Sequence, residues 1–101
     1  MAVGNAHPRP NFWILFMYYV YILFSLKDNK LYVGYTNNLR RRMSEHKNGM
    51  SLATSNRRPL GLIYYEAYMN QRDAMSREKY YKTGWGRNYI KKILRNCLKE
   101  K

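Results

Sequence analysis

A chain of 101 residues has room for one small domain, two or three helices against a small sheet, and none for a large cofactor-binding fold. Nineteen Lys and Arg against six Asp and Glu give a net charge of +13, which suits a polyanionic partner: nucleic acid first, an anionic membrane surface second. A single cysteine, Cys97, excludes an internal disulfide and a cysteine-based zinc centre and points to a reducing compartment such as the cytoplasm. Any metal is expected to be bound through oxygen.

Phe12 to Phe24 is an almost unbroken apolar and aromatic run, yet it is shorter than the roughly 20 residues that span a bilayer. It lacks the small-residue cleavage site of a secretory signal, and Lys27-Asp28 ends it. Residues 1–16, with Pro8-Arg9-Pro10, read as an N-terminal extension, disordered or the product of an upstream start codon, ahead of a domain over 17–101.

Tyr18 to Phe24 and Leu31 to Tyr35 are rich in aromatic and β-branched residues and flank a polar Lys27-Asp28-Asn29-Lys30, the pattern of a β-hairpin. Thr36-Asn37-Asn38 supplies capping residues for a helix carrying Leu39, Met43 and His46, with Gly49 placed to end it. A polar loop, Ser51 to Pro59, precedes a third strand over Leu62 to Tyr68. Asn70 with Asp73 marks the start of a second helix running to about Thr83, where Gly84 is expected to stop it. A last helix shows an apolar stripe of Tyr89, Ile90, Ile93, Leu94, Cys97 and Leu98. The expected fold is α+β, a three-stranded antiparallel sheet flanked by helices in the order β-β-α-β-α-α.

Tyr21 and Tyr32 lie on the two arms of the hairpin, so antiparallel pairing brings their hydroxyls to one face if the register allows. Arg42 and His46, four residues apart, share one face of the next helix, and Glu78 stands in the helix after the third strand. A basic surface around one acidic residue suits metal-assisted phosphodiester chemistry, because a carboxylate holds a hard cation against phosphate oxygens. Each residue also has a plain structural reading. A strand tyrosine packs, Arg42 beside Arg40 and Arg41 is solvated helix surface, His46 is an ordinary helical histidine, and Glu78 pairs with Lys82 at i, i+4.

Taken in order and at these intervals, the residues resemble the GIY-YIG nuclease family, most closely its short stand-alone members. Tyr19-Val20-Tyr21 stands where the family has Gly-Ile-Tyr, and Tyr32-Val33-Gly34 stands where it has Tyr-Ile-Gly. Thr36-Asn37-Asn38-Leu39 with Arg42 and His46 matches its first helix, and Glu78 falls at its metal-binding glutamate. Two departures stand out. Tyr19 replaces the family's glycine, and Asn88 is the one candidate for a polar residue that some members carry near the end of the domain.

The resemblance implies an endonuclease that hydrolyses phosphodiester bonds, with DNA the foremost substrate and repair or processing its context. It also implies one divalent cation, Mg²⁺ or Mn²⁺, on Glu78, and no small-molecule cofactor. In that scheme Tyr32 takes a proton from the attacking water, although a phenol with pKa of about 10 is a weak base unless nearby cations favour its phenolate. Arg42 holds the phosphate, Tyr21 orients water or substrate, and His46 supports the tyrosines or shuttles a proton. A covalent tyrosyl-phosphate is the rival mechanism.

Further contacts to nucleic acid are expected from Arg41, Arg57, Arg58, Lys82, Trp85, Arg87 and Lys91, which combine cations with an aromatic ring; for Trp85 a plug between helices is the competing reading. Two other functions fit the same residues: a module that binds nucleic acid without cutting it, and a domain attached by its aromatic amino terminus to a membrane or a protein.

Overall fold

The computed structural model describes residues 17–100, and the expectation for residues 1–16 lies outside them. Strands β1 (Tyr18–Ser25) and β2 (Leu31–Thr36) form the hairpin, and β3 (Leu60–Tyr68) pairs antiparallel with the other edge of β1, giving the order β2-β1-β3. Helix α1 (Leu39–Lys47) follows the hairpin, while α2 (Gln71–Tyr81), α3 (Gly84–Ile93) and α4 (Arg95–Lys99) follow β3. The architecture is the α+β, β-β-α-β-α-α order read from the sequence, with its last helix in two pieces. No helix among the described residues is long and apolar enough to cross a membrane.

β1 is the central strand, buried from Val20 to Ser25, which is why its sequence is apolar without alternation. One face of the sheet carries Val20, Ile22 and Val33 into a core closed by Ala74 and Tyr81 of α2 and Ile90 of α3. The other face carries Tyr21 and Leu23 of β1, paired with Gly34 and Tyr32 of β2. A register shift between Ile22 and Leu23 leaves Ile63 as the extra residue of β3, so Leu62 and Tyr65 share the face of Tyr21.

The helix starts follow their capping side chains. Asn38 accepts from the Arg41 amide and Asn70 from those of Arg72 and Asp73. Gly49, at φ 74°, sits just past the end of α1 as expected, and the Arg58 guanidinium occupies the space a Cβ there would need.

Two boundaries differ from expectation. Gly84 does not stop α2, which ends at Tyr81; it is the first residue of α3, and Thr83 caps that helix by accepting from the Gly86 amide. Gly86 lets α3 cross the end of α2 closely, since a Cβ on it would lie 2.0 Å from the Tyr80 carbonyl oxygen. The long terminal helix breaks at Leu94 (φ −108°, ψ 21°), where Arg95 Nη1 takes up the Lys92 carbonyl and Leu94 packs against the core. Only Ile90 of the apolar stripe is buried, and Tyr89 and Ile93 remain open to solvent.

The tie between β3 and α2 is polar. Glu66 accepts hydrogen bonds from the hydroxyls of Tyr64, Tyr68 and Tyr81 and pairs with Arg77 at 2.9 Å, and the Arg77 guanidinium lies 4.5 Å from the Tyr81 ring centroid. Burial opposes ionisation of Glu66, but the bonds from Arg77 and the three phenols outweigh it and bring the carboxyl from 4.5 to about 2. A depressed folded pKa gives stability that is complete above the ordinary value and is lost as pH falls toward the folded one, here about 3 kcal/mol across pH 4.5 to 2. Urea denaturation between those limits is expected to show this loss. Glu66→Gln should be less stable at neutral pH and show a shallower slope, with the remainder carried by Asp28, which Arg57 holds well below the usual carboxylate range.

Candidate active site

The hydroxyl of Tyr21 is the meeting point. Its ring is fully buried and turned toward β2, where it fits only because residue 34 is glycine: a Cβ there would stand 2.3 Å from the ring's Cζ. Register places Tyr21 opposite Gly34 and Tyr32 opposite Leu23, so both phenols lie on the same face with ring centroids 6.4 Å apart. α1 crosses this face and brings its 42/46 side down on it. His46 Nε2 is 2.8 Å from the Tyr21 hydroxyl, its ring packs edge-on against both tyrosines at 5.5 Å, and Arg42 Nε donates to the same hydroxyl at 3.3 Å.

The loop after α1 closes the back of the site. His46 Nδ1 lies 2.6 Å from Thr54 Oγ1, and both residues are buried. The polarity of this chain follows from counting protons. Tyr21 accepts from Arg42, so its own proton needs an acceptor, which only an unprotonated His46 Nε2 supplies; Nδ1–H then donates to Thr54. Burial first, and the Arg42 charge second, lower the His46 pKa, consistent with a neutral ring. Burial pushes the Tyr21 phenol up to about 12 against the Arg42 hydrogen bond, with Tyr32 and Glu78 adding to the rise.

Arg42 is held on three sides: Nε on Tyr21, Nη1 on Glu45 at 2.8 Å and Nη2 on Ser51 Oγ at 3.3 Å. With 30% of its side chain still exposed, it presents one edge outward from a fixed position. The Glu45 carboxylate, foremost, raises its pKa further above the ordinary guanidinium value. Glu45, Ser51 and Thr54 were not singled out from the sequence. Glu45 had a signal, its i, i+3 spacing from Arg42, whereas Thr54 sits in a polar loop whose return to α1 no local pattern announces.

Glu78, in α2, is near enough for its charge to act on Tyr21, and its carboxylate pairs with Lys82 at 3.0 Å. The structure therefore brings Tyr21, Tyr32, Arg42 and His46 into direct contact, with Glu78 at the margin. Among the described residues no three His, Cys, Asp or Glu gather as a ready-made metal cage. A hard divalent cation that keeps several waters needs as few as one or two carboxylates plus substrate phosphate, and Glu78 would be the group to hold it. Glu78 supplies one oxygen-bearing group, with a quarter of its side chain exposed.

The residues expected to contact nucleic acid are dispersed. Arg57 pairs with Asp28 at 2.7 Å and Arg58 donates to the carbonyls of Ser55 and Lys47, so both brace the loop. Lys82 is on Glu78, and Arg41 leans toward Glu45 and Asn37. Trp85 is 81% exposed, which removes the plug reading, and it shares the open surface of α3 with Arg87 and Lys91.

Thr54→Val keeps the shape and deletes the acceptor for Nδ1–H. A loss of about 1–3 kcal/mol in urea denaturation is expected from the stranded buried donor. In nitrogen NMR of the unaltered protein, His46 should appear as the Nδ1–H tautomer at neutral pH; an Nε2–H tautomer would reverse the direction of the chain.

A family model of the GIY-YIG catalytic domain matches residues 17–91. UPF0213 proteins of Clostridium perfringens and Pediococcus acidilactici are 46% and 38% identical to the chain, over 79% and 78% of its length and 76% and 83% of theirs. One from Pediococcus pentosaceus is 42% identical over 80% of this chain and 85% of its own. No solved structure matches the chain. The matched span contains the hairpin, α1 and Glu78, and the chain belongs to the GIY-YIG family.

Proposed function

We propose that the chain is a metal-dependent endonuclease that hydrolyses phosphodiester bonds, with DNA as substrate in repair or DNA processing, acting in the cytoplasm. The observation that carries the reading is the convergence of His46 and the fixed Arg42 guanidinium on the Tyr21 hydroxyl, with Tyr32 packed against the Tyr21 and His46 rings and the Glu78 carboxylate at the margin. Packing alone would not require a buried phenol to be hydrogen-bonded at once by an imidazole and an arginine.

Arg42, already oriented by Glu45 and Ser51, offers its exposed edge to a phosphate oxygen and to the charge that grows there as water attacks. Tyr32, partly open to solvent, accepts the proton of the attacking water. Tyr21 stays protonated because burial raises its pKa to about 12, so it serves as a fixed hydrogen-bond donor and orients the site through neutral His46. A cation held by Glu78, Mg²⁺ or Mn²⁺, supplies charge stabilisation at the scissile phosphate and the leaving oxygen. The Glu78–Lys82 pair favours the competing reading of a module that binds without cutting.

Purified protein incubated with single-stranded, duplex and branched DNA should nick in Mg²⁺ or Mn²⁺ and stop in EDTA. Tyr32→Phe, Arg42→Ala and Glu78→Gln should each lower the rate on the order of a hundredfold or more, with the melting temperature near that of the unaltered protein in Tyr32→Phe and Glu78→Gln and lower in Arg42→Ala, which removes three hydrogen bonds. Binding without metal-dependent nicking, unchanged in Glu78→Gln, would establish the non-cutting module instead.

A further inference from the structure

On the face of the sheet that α1 crosses, Leu62 and Tyr65 of β3 are exposed among the described residues. Two depressions, of about 760 Å³ and about 720 Å³, are both walled by Met43 of α1 and Leu62 of β3 and so form one groove along the flank of the helix. Its floor is apolar: Leu23 at one end and Tyr19 at the other, with Leu62 40% exposed between them. Tyr65, 52% exposed, extends this floor through an edge contact with Tyr19, ring centroids 6.1 Å apart. The rim is cationic, with Lys27, Lys47 and Arg58 at one end and Arg40 at the other, and among the described residues no carboxylate lines either depression.

The helix is a shared wall. Arg42 serves the candidate active site, Arg40, Met43 and Lys47, at i, i+3 and i+7, face the groove, and His46 borders both. Tyr65 stands directly across the sheet from Tyr21. Tyr19, which fills the position of the family's glycine, gives the floor its second ring.

Three occupants can be compared by their chemistry. A second copy of this chain would bring another +13 against four rim cations, a repulsion that a groove of this size does not offset. A duplex keeps its base faces stacked inside and presents phosphates, sugars and base edges, so the rings of the floor would have no base face to stack on. An unpaired strand offers both parts at once, flat bases to Tyr19, Leu62 and Tyr65 and phosphates to the rim. We propose that this groove binds an unpaired stretch of nucleic acid, so that the substrate of the neighbouring site is a strand with a single-stranded arm. The inference rests on the nuclease reading for the cut, but the binding itself does not.

The full chain, in EDTA at moderate salt, is titrated into a fluorescent short oligothymidylate and into a blunt duplex of the same length, and anisotropy is read. Tighter binding of the oligothymidylate is expected. Tyr65→Ala and Leu62→Ser, both at exposed positions and checked by thermal melting, should weaken it about tenfold each with duplex affinity within about twofold. Tyr65→Phe should restore it, since the ring face and not the hydroxyl makes the contact. Equal losses on both ligands, or no loss on the oligothymidylate, would overturn the proposal. So would a dimer in sedimentation that Tyr65→Ala dissolves. Failure of the nuclease reading shows separately, as absence of metal-dependent nicking by the unaltered protein with the binding preference intact.

Discussion

The close approach of the Tyr21 ring to the backbone of Gly34 is the constraint on which the site depends. With any side chain at position 34 the ring would meet a Cβ at 2.3 Å and turn away from β2. It would then leave the reach of His46 and Arg42, which come from a different element and cannot follow it. The hydroxyl joins three segments that are distant in the chain: the hairpin, α1 and the loop through Thr54. Because every link is buried or half-buried, each proton has one place to go, and the polarity of the chain is set by Arg42, which cannot accept.

The charge of the molecule is organised around few acids. Of the six acidic residues, Asp28, Glu45, Glu66 and Glu78 each hold a cation: Arg57, Arg42, Arg77 and Lys82. Those four pairs stand at joints of the fold, tying the hairpin loop to the segment before β3, α1 to the site, β3 to α2, and one turn of α2 to its end. The excess positive charge therefore lies on residues without such structural duties, including Lys27, Arg40, Lys47, Arg87 and Lys91. Affinity drawn from them for a polyanion is non-specific and falls steeply with salt, whereas discrimination has to come from the apolar surfaces between them.

The hairpin, α1 and α2 were legible because each carries a strong local signal: aromatic and β-branched runs, asparagine caps that the structure uses, and a glycine at φ 74°. Register was the step the sequence left conditional, and pairing Tyr21 with Gly34 supplied it. The boundary at Gly84 was misread because glycine ends helices more often than it begins them, and Thr83 as a cap outweighed that tendency. The break at Leu94 has no glycine or proline to mark it. Thr54 and Ser51 were out of reach for another reason: their partners are set by the return path of a loop, a tertiary matter with no period in the sequence. Arg57 and Arg58 looked free as neighbouring cations and are bound to Asp28 and to backbone carbonyls, since a charge count cannot tell a brace from an open contact.

A sheet this small has two faces to cover and few helices with which to do it. α2 and α3 close the face of Val20, Ile22 and Val33, leaving α1, nine residues long, as the one helix among the described residues for the other. At about 1.5 Å per residue α1 is near 13 Å long and one helix wide, too small to cover every outward side chain of three strands. Leu62 and Tyr65 are consequently open, and open apolar side chains on an edge strand favour association of chains. The cations of the rim counter that tendency by repulsion between like copies while remaining attractive to a polyanion. The same shortage of helix thus sets an apolar surface and a positive border side by side, on the strand that pairs with Tyr21.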